Sequence, residues 1–444
     1  MAMRGHIVGN CSTDFSLTGN YPLGSPESRQ FMSFDRIQGL LRSYNAHAGV
    51  YINRYFEVYH LSMPVLDPII FRAKATVFQD APTEVDASWL AQYFVVLGLG
   101  AYATNRDEAD CADLFYASEA CLARSPYMFR PTTTNISTLC LMILAKQIAF
   151  ATCWALDTCW NVMGLIVRLS MMMVLHEEWM PQFDEPAIAK ERQVRRRLWT
   201  VVVYLDIQMS LITGQQSLLP QDVLAVATGP QVPNTLEDCF HILLPMAFPV
   251  IVQFLSRINS RINPITYEEA VQHEAELRRL KQQFTQLPGP ESVRLSLDLF
   301  FRRALCVLHG RFALDLEAPS LYPVSYSSSL NCNLTMMLHH QNTVESPEQP
   351  SDTALVATPY MLDFFASALT TCVHLLGPDV SLVNLASTTL ISGAMIPSRQ
   401  TILYTLNSSV ELFGREQSKS LCFRTGCSLL HAVHALAWGG LKVC

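Results

Sequence analysis

ERQVRRRLWTVVVYLDIQMSLITGQQSLLPQD, residues 191–222, decides the fold class. Val194, Leu198, Val201, Val202, Leu205, Met209 and Ile212 recur at three- and four-residue spacing, which a helix gathers on one apolar stripe and a strand would scatter over both faces. Glu191 stands near the start and Thr213-Gly214 near the end, where glycine can take the positive φ that closes a helix; Pro220 prevents a simple continuation. Two features are costly to bury without partners: the carboxylate of Asp206 and the run Arg195, Arg196, Arg197. At the helical rise the arginines stand roughly 13–17 Å from Asp206, too far to pair with it, so its partner must come from another helix. Arg168, a lone charge in the preceding apolar segment, is the candidate. The expected role is a structural ion pair joining two helices, with a ligand or regulatory contact as the alternative.

Working upstream, Leu139 to His176 is the most apolar region, but Lys146, Asp157 and Arg168 interrupt it. It therefore falls short of the roughly 18 uncharged residues of a membrane span and reads as core helices. Met171 to Met173 fit core filling or an adaptable pocket. His176 lies at the helix end beside Glu177 and Glu178; HEEW lacks the second histidine of a zinc-binding H-E-x-x-H, because residue 180 is Met. Gly98 to Ala103 matches the dinucleotide-binding G-x-G-x-x-A, but its flanks have a helical period, so the small residues are expected to serve close helix packing. Phe34 to His60 is helical, broken by Pro64 and Pro68. Residues 1–33, rich in Gly, Ser, Asn and Pro, are assigned to a mobile arm.

Working downstream, helical patterns continue at Phe240–Ile262, Glu268–Phe284, Leu295–Leu314, Leu355–Leu376 and Thr401–Trp438. Gln341–Ser351, with Pro347 and Pro350, is the best internal loop. The expected architecture is all-α: one large multi-helix domain over 34–444 with an internal loop near 341–354, behind an arm at 1–33.

Three stretches carry a resemblance. Arg195-Arg196-Arg197-Leu198-Trp199, then Tyr204-Leu205-Asp206, then Gly214 resemble the signature of the fungal-specific transcription factor domain, the middle homology region of zinc-cluster regulators. Val167-Arg168-Leu169-Ser170 through Val174-Leu175-His176-Glu177 is similar to an adjoining segment of that family. Tyr55-Phe56, His60, Pro64-Val65-Leu66 and Phe71 resemble its opening. The matches cover about residues 50–225. Departures are Thr200 where a second Trp is usual, Val174 where Gly is usual, and Gln215-Gln216 where Arg-Pro is usual. The resemblance implies a helical region that restrains or tunes transcriptional activation of metabolic or natural-product gene clusters, in the nucleus. It places Arg168, His176, Arg195, Arg196, Arg197, Trp199, Asp206 and Gly214 as the structural or regulatory candidates.

Composition narrows the partners. The formal net charge is −7, with 31 basic against 38 acidic residues, which argues against a general electrostatic grip on DNA or an anionic membrane. Hydrophobic residues make up 50% of the chain and charged residues 16%, a balance that favours a protein partner or self-association. The 13 cysteines contain no Cys-x-x-Cys pair, and only Cys11 precedes Cys111, so the six-cysteine zinc cluster that reads DNA in the family has no counterpart in this sequence. Direct DNA binding is therefore not expected. The expected partners are a DNA-binding transcription factor or a second copy, together with a small-molecule effector, and no cofactor is implied. There is no G-x-S-x-G elbow, phosphate-binding loop or H-E-x-x-H, so an enzyme is not expected. The alternative function is a ligand-binding or biosynthetic protein that reuses the fold.

Overall fold

The computed structural model describes residues 20–80, 86–105, 108–149, 153–177, 186–224, 233, 236–258, 260–315, 317–344, 352–376 and 398–416, and most of 427–435. Among these residues there are helices and no strand. The first half comprises α1 (Phe34–Tyr44), α2 (Ala48–Val58), α3 (Pro68–Asp80), α4 (Ala87–Asn105), α5 (Glu108–Ala123), α6 (Thr133–Ala149), α7 (Cys153–Met172) and α8 (Pro186–Thr213). The second half comprises α9 (Leu236–Ile258), α10 (Tyr267–Thr285), α11 (Glu291–Ala313), α12 (Ala318–Leu321), α13 (Pro323–Val344), α14 (Asp352–Ala357), α15 (Met361–Leu376) and α16 (Arg399–Glu416).

Helix α4 is the axis of the first half. It is buried from Ser88 to Ala101 with Leu90 alone partly exposed, as a helix without a polar face must be. Its glycines allow two neighbours to come close: a Cβ at Gly98 would overlap the Phe115 ring of α5, and one at Gly100 would overlap the Tyr51 backbone of α2. The G-x-G segment is thus helix interior and serves packing, as its flanks predict. The helical stretch 34–60 divides at Asn45–His47 into α1 and α2. Asp67 starts α3 by accepting the amides of Ile69 and Ile70, both at 3.0 Å, which supplies partners for donors the helix leaves unpaired. A capping box between Thr266 and Glu269 starts α10 in the same way.

Two hydrophobic cores share α11. Phe300, Phe301 and Leu305 join the larger one, built with α1 to α10, while Leu295 and Leu299 join a smaller one with α13, α15 and α16 around Leu330, Phe364 and Phe413. Helix α9 contains the one window among the described residues, Cys239–Ile258, long and apolar enough to cross a membrane, and 61% of that window is buried against its neighbours.

Two boundaries differ from expectation. Residues 1–19 of the arm lie outside the described residues, but 20–33 are packed: Pro26–Met32 forms a 3-10 helix, and Tyr21 and Phe31 are buried. Two buried aromatics outweigh a local sequence rich in turn formers. The internal loop is shorter than 341–354, because α13 runs to Val344 and α14 begins at Asp352; 345–351 lie outside the described residues.

Candidate functional site

Helix α8 meets several different elements along its length. Near its start Arg195 reaches back to the end of α7, where Nη2 donates to the carbonyls of Met173 (2.6 Å) and Val174 (3.3 Å). That end is a Schellman closure: the Leu175 amide bonds Ser170 O at 3.1 Å and the Val174 amide bonds Met171 O at 2.9 Å. Val174 sits at φ 56°, in the left-handed region that favours glycine. It is the position where the family usually has Gly, so the sequence departure falls on a backbone geometry the fold retains. The guanidinium supplies a positive charge and two donors to a helix C-terminus, where carbonyls lack partners.

The arginine run therefore divides. Arg195 is half-buried and closes α7, whereas Arg196 and Arg197 are exposed. The three side chains do not act as one unit, because consecutive helical residues point about 100° apart. The Arg197 charge still acts locally: burial first, then Arg197 and Arg72, lower His60 to about 4. Lys190, in the first turns of α8, lies 3.7 Å from Asp67. Trp199 is buried, with its ring centroid 5.9 Å from that of His176, and His176 Nε2 lies 3.7 Å from Glu177.

Asp206 is not paired with Arg168. Its Oδ2 accepts from Ser217 Oγ at 2.6 Å and from the Leu218 amide at 3.2 Å, so the carboxylate holds the turn that follows α8. Burial pushes it up to about 6, with the Ser217 and Leu218 hydrogen bonds pulling the other way. Arg168 is exposed and donates to Gly164 O of its own helix at 3.1 Å. The two segments do meet, since a Cβ at Gly164 would touch Leu218. Two neutral donors from the turn satisfy the buried carboxylate, and the guanidinium keeps its solvation. Gly214 closes α8 at φ 69°, as expected, and its amide bonds Ser210 O at 2.9 Å.

The C-terminal half of α8 is wired to the second core by groups the sequence reading did not select. Tyr204 and Tyr360 hydroxyls lie 2.8 Å apart, both in fully buried surroundings. Arg303 of α11 donates to Leu211 O at 3.2 Å and pairs with Asp363 of α15 at 3.0 Å. Asp363 is 1% exposed, and burial raises its carboxyl above the usual range while Arg303 opposes. The available signal was that Asp363 is the lone acid between Leu355 and Leu376, and Arg303 a basic residue within a core pattern.

One other polar group has the outline of a hydrolytic triad. His309 Nδ1 lies 2.8 Å from Ser325 Oγ, and Nε2 lies 3.2 Å from Glu274 Oε2. Arg278 also holds Glu274, at 2.6 Å, and Ser325 and His309 are 0% exposed, so the cluster is a joint between α10, α11 and α13 with no face open to a substrate. The adjacent His339 and His340 go separate ways: His339 bonds Asp298 at 2.9 Å, and His340 stacks on Phe413 at 4.6 Å. Among the described residues no three His, Cys, Asp or Glu side chains could hold a metal ion.

The pieces in this order, the buried Tyr55-Phe56 opening, the Arg195 closure and Asp206 within α8, fall inside a family match over residues 52–241. That segment matches the fungal specific transcription factor domain. The domain ends inside α9, so the Tyr360 and Arg303 contacts join it to the rest of the chain. Its relatives are regulators. The Zn(2)-C6 fungal-type transcription factor mpsB of Macrophomina phaseolina is 22% identical over 344 residues, which cover 67% of this chain and 45% of that protein. The aspyridones cluster regulator apdR of Emericella nidulans is 29% identical over 213 residues, covering 40% of this chain and 28% of the regulator. The fusarisetin A cluster transcription factor fsa6 of a Fusarium species is 24% identical over 233 residues, covering 49% and 29%. The chain spans less than half the length of these relatives.

Proposed function

We propose that the chain is the helical regulatory body of a transcription regulator for a fungal metabolic or secondary-metabolite gene cluster, working in the nucleus with a DNA-binding partner. The observation that carries this reading is α8. It bears the family's signature, and its contacts connect the matched domain to the second core through Tyr204, Arg303 and Asp363. A ligand or partner that prefers one packing of these two cores would shift their balance, which is what a regulatory region requires. Arg195 and Asp206 set the geometry of the two ends of α8 through contacts within the protein.

The test is a DNA-binding titration of the purified chain at two salt concentrations, alone and with a co-expressed zinc-cluster regulator from the same gene cluster. The expected result is specific binding only with the partner, and co-purification of the two. Salt-sensitive sequence-specific binding by the chain alone would overturn the partner requirement. No association with any such regulator, or assembly only with a second copy, would overturn the regulatory pairing.

A further inference from the structure

We propose that the slot between α5, α6 and α7 filled by Tyr21 is a small-molecule site for a single-ring phenol, and that residues 20–32 are its displaceable occupant. The Tyr21 side chain is completely buried, with Phe115 and Tyr116 beside it at centroid distances of 6.2 and 6.3 Å. Lys146, itself 2% exposed, stands 5.9 Å above the ring. Outside the ring, Glu119 Oε1 anchors the segment by accepting the amides of Gly24 (2.5 Å) and Ser25 (2.8 Å).

The slot is more polar than a packing site for one aromatic ring requires. Burial above all, then Glu119, Cys111, Tyr116 and Cys159 nearby, hold the Tyr21 hydroxyl protonated, and Lys146 approaches from the ring face. The tethered ring uses this equipment poorly. Its hydroxyl and Glu119 Oε2 are both buried without a hydrogen-bond partner among the described residues. A buried polar atom left without a partner is destabilising. A phenol free to shift in the slot can donate to Glu119 and keep its face toward the Lys146 cation, recovering both contributions. Against this, Tyr21 has its tether, an effective concentration on the order of millimolar for a short link, and the two Glu119 bonds to the Gly24 and Ser25 amides, which displacement gives up. The vacated volume is one tyrosine side chain, which sets the ligand at one ring, and the Glu119 carboxylate selects a hydroxyl donor over a plain hydrocarbon.

The proposal deepens the regulatory reading by naming an effector class and rests on that reading only for its consequence. The assay contains neither DNA nor a partner chain, so the two can fail separately. Hydrogen exchange is measured on the full chain with p-cresol, the tyrosine side chain as a free molecule, and with toluene as the control that lacks the hydroxyl. With p-cresol at saturation, the Gly24 and Ser25 amides are expected to exchange at least about tenfold faster, with α4 protection unchanged and little response to toluene. Tyr21→Ala, which keeps the Glu119 anchor and empties the slot, is expected to gain thermal stability from p-cresol and less from toluene. Unchanged exchange at Gly24 and Ser25 in the wild-type chain would make the segment a fixed plug and overturn the proposal. Equal responses to the two molecules, or loosening that spreads into α4, would overturn it as well. Should Tyr21→Ala not fold, the wild-type exchange result decides by itself.

Discussion

Asp206→Asn isolates the one buried carboxylate in the signature helix. In the folded chain burial holds this carboxyl at about 6, against an ordinary 3.8. The folded state therefore keeps its proton more tightly than the unfolded state. The Asp206 contribution to stability is highest below 3.8, falls as pH rises towards about 6, and is constant above that. The displacement corresponds to about 3 kcal/mol across the window. Asparagine does not titrate, and its side-chain carbonyl can still accept from Ser217 and Leu218. Chemical denaturation of both proteins from about pH 4 to pH 7 should show the difference in unfolding free energy moving by about 2–3 kcal/mol in favour of the asparagine variant as pH rises. Other titrating groups are common to both proteins and cancel in the difference. Parallel curves would refute the account of Asp206 as a desolvated carboxyl held by neutral donors. Movement in the opposite direction would mean that a cation reaches it in solution.

Four further outcomes follow from the same contacts. Val174→Gly should stabilise the chain by roughly 0.5–1 kcal/mol in thermal or chemical denaturation, because relief of a left-handed β-branched residue exceeds the added entropy of an unfolded glycine. Arg195→Ala should cost about 1–2 kcal/mol through loss of the α7 closure, whereas Arg197→Ala should stay within about 0.5 kcal/mol; equal effects would count against the division of the arginine run. Arg303→Met leaves Asp363 buried without its cation and should cost about 3 kcal/mol, much of it recovered when Asp363→Leu is added in a double-mutant cycle. Gly100→Ala forces a methyl group into the Tyr51 backbone and should cost more than about 2 kcal/mol, seen as a lower denaturation midpoint with α2 losing exchange protection.

Periodicity and punctuation made much of the helical layout legible. The α8 stripe, the closing glycine at 214 and the all-round apolar α4 follow from local rules, since a side chain's direction on a helix depends only on its own spacing. The resemblance in RRRLW, Asp206 and Gly214 likewise rests on the order of residues along the chain. Charge pairing was not legible in the same way. Sequence placed Arg168 and Asp206 on neighbouring helices and rightly required a partner for the carboxylate, but it could not weigh a guanidinium against two donors of the 217–218 turn. That choice depends on desolvation, which exists only once the helices have packed. The same holds for Arg195, selected over Arg196 and Arg197 by the direction in which α7 ends. Tyr21, Tyr204–Tyr360 and Arg303–Asp363 connect positions tens to more than a hundred residues apart, and no local signal announces such meetings. Local spacing marked most of the helices and their apolar faces, though not α3 or the Ser- and Asn-rich α13; tertiary packing decided which charges are paired, which are buried and what fills the slot beside Lys146, because those outcomes depend on water being excluded by distant parts of the chain.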